Sequence, residues 1–192
     1  MVKTDSRYKL KQLILHVASR MKDAEYFGTT KLNKILYRSE HAAFRELGQK
    51  LTTFQYQKNS RGPTLRAFVP ITSEMRDEGL ISFEDRPVGY VTERRLVPLA
   101  SADLAIFSSG ELRVIDEEIE RAWGLTGSQV SEEEHETAAW YATRLGETIK
   151  PELSFVEDPG ALIPFSHEEE ERAGVAIDRF LARTRSAARN YS

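Results

Sequence analysis

Apolar residues recur along the first third of the chain at the spacing of helix faces. Over residues 6–22, Leu10, Leu13, Ile14, Val17 and Met21 fall on one stripe, which turns Lys9, Lys11 and Gln12 outward; Asp5 or Ser6 supplies the N-cap. Tyr26-Phe27-Gly28 then turns the chain into a second helix. On it Leu32, Ile35, Leu36, His41, Phe44 and Leu47 share a side, Thr29 or Thr30 caps the first amides, and Gly48 stops it. Arg61-Gly62-Pro63 reads as a joint, a flexible residue followed by a proline whose fixed φ suits the first turn of a new helix. Leu65, Phe68, Thr72 and Met75 keep helical spacing from there to Gly79. Pro70 inside that stretch predicts a kink or two short helices, because it removes an amide donor and crowds the preceding turn.

Alternation replaces helical spacing in two places. Leu51 to Tyr56 is rich in β-favouring residues and predicts an extended piece. Ile81 to Glu84 and Arg95 to Leu99 flank a loop holding Pro87 and Gly89, which predicts an antiparallel hairpin. Three further helices open with a serine whose oxygen caps an amide while a glutamate three residues on reaches back: Ser108 with Glu111, Ser131 with Glu134, and Ser166 with Glu169. The first turns Leu112, Ile115, Ile119 and Trp123 inward, the second Ala138, Ala139, Tyr141, Ala142 and Leu145, and the third Ala173, Ile177, Phe180 and Leu181 before a basic tail. Residues 150–165, with Pro151, Pro159, Gly160 and Pro164, form a loop. The expected fold is mainly α (α+β), a single helical domain over residues 1–150 with one β-hairpin after the central helices. Residues 151–192 add a Pro/Gly loop and a C-terminal helix packed on the same domain.

Composition narrows the class. The 192 residues are 40% hydrophobic and 30% charged, which is ordinary for a globular domain and large enough for a real core. No apolar run reaches membrane-spanning length and the first residues carry no signal-peptide core, so the expected location is the cytoplasm, with no membrane partner. There is no cysteine, which excludes disulfides and removes the commonest zinc ligand. The net charge of -3 conceals an asymmetry: fourteen Lys or Arg against five Asp or Glu up to Arg66, then thirteen against twenty-five. Either the two halves neutralise each other within the fold, or a basic face addresses an anionic partner.

Candidate chemistry is sparse. His135-Glu136 begins like the zinc-protease pattern His-Glu-x-x-His, but Ala139 stands where the second histidine would be, so two ligands cannot meet on one helix face. His135 is expected to be hydrogen-bonded or packed with Trp140 near a helix N-terminus. His16, His41 and His167 are scattered, with no nucleophile placed beside them. No glycine-rich phosphate loop occurs, and the acidic run Glu168 to Glu171 suits a helix N-terminus without a metal. Neither a metal nor a cofactor is expected, and the chain is expected not to be an enzyme. Two clusters fit partner contact. One is Tyr56, Lys58, Asn59, Arg61 and Arg66; the other is Arg86, Tyr90, Arg94 and Arg95, which carries the aromatic and arginine types that dominate binding hot spots.

Lys31, Leu32, Lys34, Ile35, Leu36 and Tyr37, then Gly62 and Pro63, then Glu78-Gly79-Leu80-Ile81, resemble the signature of the Panacea, or SocA-like antitoxin, domain. That signature is a Lys-Leu-x-Lys-Leu-Leu-Tyr helix followed by a Gly-Pro turn. Val130-Ser131 and His135-Glu136 followed by Trp140 resemble the family's Ser-x-x-x-His-x-x-x-x-Trp segment, and the matched pieces span roughly residues 8–145. The resemblance implies the antitoxin half of a bacterial or phage toxin–antitoxin pair, which neutralises a cognate toxin by direct contact. It casts Lys31, Leu32, Lys34, Tyr37, Gly62, Pro63, His135 and Trp140 as residues that make the fold. A homo-oligomer stays open.

The competing reading is a winged-helix DNA-binding regulator, with the helix ending at Asp77-Glu78 as reading helix and the hairpin as wing. Thr72 to Glu78 offers only Arg76 against Glu74, Asp77 and Glu78, and so acidic a helix would be repelled by phosphates. Nucleic acid is therefore the less favoured partner.

Overall fold

The computed structural model describes residues 5–135, 137–156 and 175. The order is α1 (Ser6–Arg20), α2 (Thr29–Leu47), β1 (Tyr56–Asn59), β2 (Gly62–Leu65), α3 (Phe68–Asp77), β3 (Ile81–Val88), β4 (Val91–Pro98), α4 (Ser109–Ala122), α5 (Gly127–His135) and α6 (Ala138–Tyr141). Short 3-10 turns stand at Leu104–Ile106 and Pro151–Phe155. The architecture of the described residues is mixed α+β and mainly helical, with two small antiparallel hairpins, β1–β2 and β3–β4. No helix among these residues is long and apolar enough to cross a membrane. The helix expected from Ser166, its basic tail and His167 lie outside the described residues.

Helix α2 lies at the centre. Every residue from Lys31 to Glu40 is buried, because α1, α4, α5, β2, β4 and the turn at 151–155 pack around it. Leu32, Ile35 and Leu36 join Leu10, Leu13, Ile14 and Val17 of α1 and Val114, Ile115 and Ile119 of α4 in one contiguous core. The helix stops at Gly48, whose φ of 69° is the left-handed conformation favoured at such ends. Its N-cap is Gly28, with no side-chain cap, rather than either threonine.

Helix α1 is buried on more sides than one stripe allows. Asp5 caps it, its carboxylate accepting from Arg7 N at 3.0 Å. Lys11 and Gln12, expected outside, are buried because each finds a polar partner. Lys11 Nζ meets Glu74 of α3 and Glu78 just past its end, and Gln12 Oε1 accepts from Asp103 N at 2.8 Å.

Residues 62–65 do not start a helix. They form β2, paired antiparallel to β1 from Tyr56↔Leu65 to Asn59↔Gly62, so there are two hairpins rather than one. Backbone pairing to β1 wins over proline's fitness for a helix start, and α3 begins six residues later at Phe68. Pro70 then falls in the first turn, where its missing amide had no intrahelical acceptor to lose, and no kink is needed. The second hairpin is longer than expected, running to Val88 and Val91 around a two-residue turn. Gly89 at φ 57° followed by Tyr90 at negative φ is the arrangement that matches strand twist. Pro87 is accommodated because a two-stranded hairpin leaves one strand edge free of pairing.

Ser108 and Glu111 form the capping box that opens α4. Trp123, expected inward, is largely exposed, because the buried stripe of α4 runs through Val114, Ile115, Ile119 and Ala122 instead. Ser131 is not a cap: α5 begins four residues earlier, where Gln129 N donates to Thr126 Oγ1 at 3.2 Å and Thr126 N to Gln129 Oε1 at 2.8 Å. Thr126-x-x-Gln129 is the same reciprocal device. Thr126→Ala should lower stability by about 1 kcal/mol, read as a shift of the urea midpoint at unchanged slope.

Thr137 caps the short α6, after which the chain leaves helical geometry. Residues 146–149 run along β1, with Gly146 N donating to Lys58 O at 2.7 Å and Ile149 N to Tyr56 O at 2.9 Å. Tyr141 and Leu145, expected on an inner helix face, are therefore exposed, while Ala138 and Ala139 are buried.

Candidate functional site

A helix enclosed on all sides has to satisfy its polar side chains from within the protein. Lys31 Nζ donates to the carbonyls of Leu125 (2.6 Å) and Trp123 (3.2 Å) at the end of α4, where a cation suits the dipole. Burial pushes its pKa down to about 8, with Glu93 opposing. Asn33 Oδ1 accepts from Leu65 N at 3.1 Å, which docks β2 on α2. Lys34 Nζ donates to Arg61 O, the carbonyl that also accepts from Ser131 Oγ at 2.9 Å. Gly62 sits directly against that ammonium with φ 104°, and a Cβ there would overlap Lys34 Nζ. Lys34, Gly62 and Ser131 are thus one joint between α2, the first hairpin and α5.

Nearly two turns along α2, Glu40 accepts from Leu51 N at 3.0 Å, from Thr52 N at 3.2 Å and from the Thr52 hydroxyl, pinning the loop after Gly48. Burial raises its pKa to about 7 against the pull of those donors. Tyr37 packs against His41 at 4.0 Å with the rings tilted by 42° and meets Tyr56 edge-on at 5.5 Å. Burial first, then Lys50 and Arg45, push His41 down to about 3. Burial and then Glu40 hold Tyr56 well above the usual tyrosine range. His135 stacks on Trp140 at 3.8 Å, and Lys58 closes the stack with Nζ 4.1 Å from the Trp140 ring while donating to its carbonyl at 2.6 Å.

Much of the N-terminal basic surplus is neutralised inside the fold. Lys9 pairs with Glu111, Lys11 with Glu74 and Glu78, Arg20 with Asp116, and Arg38 with Glu133. Arg61 and Arg94 have no carboxylate within ion-pair distance among the described residues, and Arg76 has only its neighbour Asp77 at 3.7 Å. These three arginines line one cleft of about 740 Å³ between the start of α2, the β1–β2 turn, α3 and the second hairpin. Lys34 also lines it, and its other walls are hydroxyls, amides and apolar groups, with no Asp or Glu among them. Arg94 lies over the Phe83 ring at 4.5 Å. Val69 and Leu145, 74% and 68% exposed, complete an apolar rim. Such a mixture of arginine and aromatic surface is what binding interfaces concentrate.

The residues expected at a partner surface divide four ways. Asn59, Arg61 and Arg94 line the cleft. Arg86 and Tyr90 stand exposed on the second hairpin, Tyr90 at its tip, and Arg66 donates to Gly146 O at 2.9 Å on the surface. Tyr56 and Arg95 are buried: Tyr56 in the Tyr37 cluster, and Arg95 because its guanidinium donates to the carbonyls of Ala24 and Phe27. Lys58 is half-buried over Trp140. Arg76, Phe83 and Val69 escape a reading by sequence clusters, because they come from separate elements and meet only in the folded chain.

A family model described as "Antitoxin SocA-like, Panacea domain" matches residues 32–141. No curated protein and no solved structure matches the chain significantly.

Proposed function

The chain belongs to the family of SocA-like antitoxins with the Panacea domain, and from this membership we propose that it neutralises a cognate toxin by binding it directly. The observation that carries the reading beyond family membership is the cleft, where three arginines with no carboxylate on the walls stand beside exposed apolar side chains. Such a surface suits recognition of another protein and requires no bond to be made or broken. In this reading residues 1–150 carry the antitoxin domain and the complex forms in the cytoplasm.

Co-expression with the product of the adjacent gene tests it. Growth arrested by that product alone should be restored by this chain, and the two should co-purify through size exclusion. Toxicity that persists, or co-expressed proteins that elute apart, would contradict the proposal.

One observation favours the DNA-binding alternative more than the bare sequence does. Glu74 of α3 and Glu78 just past its end are engaged by Lys11 and Arg7 of α1, which lightens the acidity of the would-be reading helix. Asp77, Glu84 and Asp85 stay exposed beside it, so phosphate would still meet repulsion. The expected result is no shift of the chain's own promoter duplex at low salt; a salt-sensitive shift would favour the alternative.

A further inference from the structure

The arginine cleft specifies more about its occupant than that it is a protein. Arg61 comes from the β1–β2 turn, Arg76 from α3 and Arg94 from β4, so cationic residues reach the lining from three separate elements. The wall between them carries Thr29 and Thr30 of α2 and Ser73 of α3, whose hydroxyls suit an oxygen-rich ligand, while Asn33 and Thr72 already donate to Thr29 O and Phe68 O. The apolar part of the lining is Pro63, Phe68, Val69, Phe83 and Leu145. Asp85, paired across the hairpin from Arg94, and Asp77, 3.7 Å from Arg76, stand near the cleft without lining it, and other nearby carboxylates are engaged elsewhere. Glu93 accepts from Phe27 N at 3.1 Å behind the start of α2, and Glu74 and Glu78 are held by α1.

We infer that this cleft receives an acidic segment of the partner protein, whose carboxylates pair with Arg61, Arg76 and Arg94 while an adjoining apolar side chain packs against Phe68, Val69 and Phe83. The inference rests on the antitoxin reading and names the chemistry of the contact. Charge complementarity argues for it, since cations converge where no protein carboxylate lines the wall. The exposed apolar rim argues for a polypeptide over a phosphate polymer. A nucleic-acid backbone would leave Val69 and Leu145 uncovered. Arginine fits the role because its planar fork takes a carboxylate through two parallel bonds and still stacks on an aromatic ring, as Arg94 does on Phe83.

The test is charge reversal in the full chain, R61E/R76E/R94E, with K22E as a control for charge reversal elsewhere on the surface, since Lys22 is exposed and outside the cleft. The probe is the purified product of the adjacent gene, and binding is read by biolayer interferometry at low and high salt. The triple reversal should weaken binding at least about 100-fold, while K22E stays within about threefold and wild-type affinity falls as salt rises. The neutral triple variant R61Q/R76Q/R94Q should show a smaller loss in the same direction, and serves alone if the reversal perturbs the circular-dichroism melt. Triple variants that bind like wild type overturn the inference and leave the antitoxin reading standing. Triple variants that keep the protein partner but lose a shifted DNA duplex overturn it in favour of a phosphate ligand. A wild-type chain that neither binds nor neutralises the adjacent product removes both.

Discussion

Replacing Gly62 with valine should cost the protein about 3 kcal/mol or more, one of the largest effects open to a single substitution outside the apolar core. Two penalties add. At φ 104° a β-branched residue is strained wherever it sits, and its Cβ would occupy the place of Lys34 Nζ. Lysine ends are ordinarily able to move aside, but this one is buried and bonded to Arg61 O, within a joint that Ser131 shares. Displacing it leaves an ammonium without its carbonyl in the protein interior, which is costly in itself. Urea denaturation followed by circular dichroism measures the loss. A midpoint within about 0.5 kcal/mol of wild type would mean that the turn relaxes freely and that the joint contributes little.

Glu40→Gln should change how stability depends on pH. An ionised Glu40 is disfavoured by burial, so the folded chain keeps its proton up to about pH 7 while the unfolded chain releases it near the ordinary 4.5. Between those values the folded state binds more protons, so this group's contribution to stability falls as pH rises, by up to about 3 kcal/mol in all. Glutamine keeps an oxygen to accept from Leu51 N and Thr52 N but cannot ionise. The variant should therefore match wild type near pH 4 and exceed it by about 3 kcal/mol at pH 8. His41 acts with the opposite sign. Held neutral down to about 3, it adds stability as pH climbs towards the ordinary 6.5, but it is present in both proteins and drops out of their difference. Urea midpoints across pH 4 to 8 give the answer, and a difference that does not vary with pH would contradict it.

The legible part of the fold is the part governed by short-range periodicity. The stripes of α1 and α2 are read correctly from spacing, as are the stop at Gly48, the box at Ser108 and the existence of the second hairpin. Pro63 misleads because its preference for a helix start is weaker than pairing with β1, a contact that depends on Asn33 offering its side chain to Leu65. Ser131 misleads because Thr126 and Gln129 offer the same cap one turn earlier. Burial of charged residues is the least legible feature. Nothing local marks Lys11 as inward when its partners are more than sixty residues away at the end of α3. The site follows the same division, since Asn59 and Arg61 are visible as a cluster, whereas Arg76 and Phe83 join them only through the packing of α3 and the second hairpin.

The match to the family begins at residue 32, yet four of the deepest core side chains, Leu10, Leu13, Ile14 and Val17, precede it. A truncation at the family boundary would strip the central helix of one wall and leave Glu74 and Glu78 facing each other without the cations that reconcile them. Tags and fusions at the front of the chain are compatible with folding only if they leave the first twenty residues in place, so transplanting the domain into another protein means carrying its leading helix along.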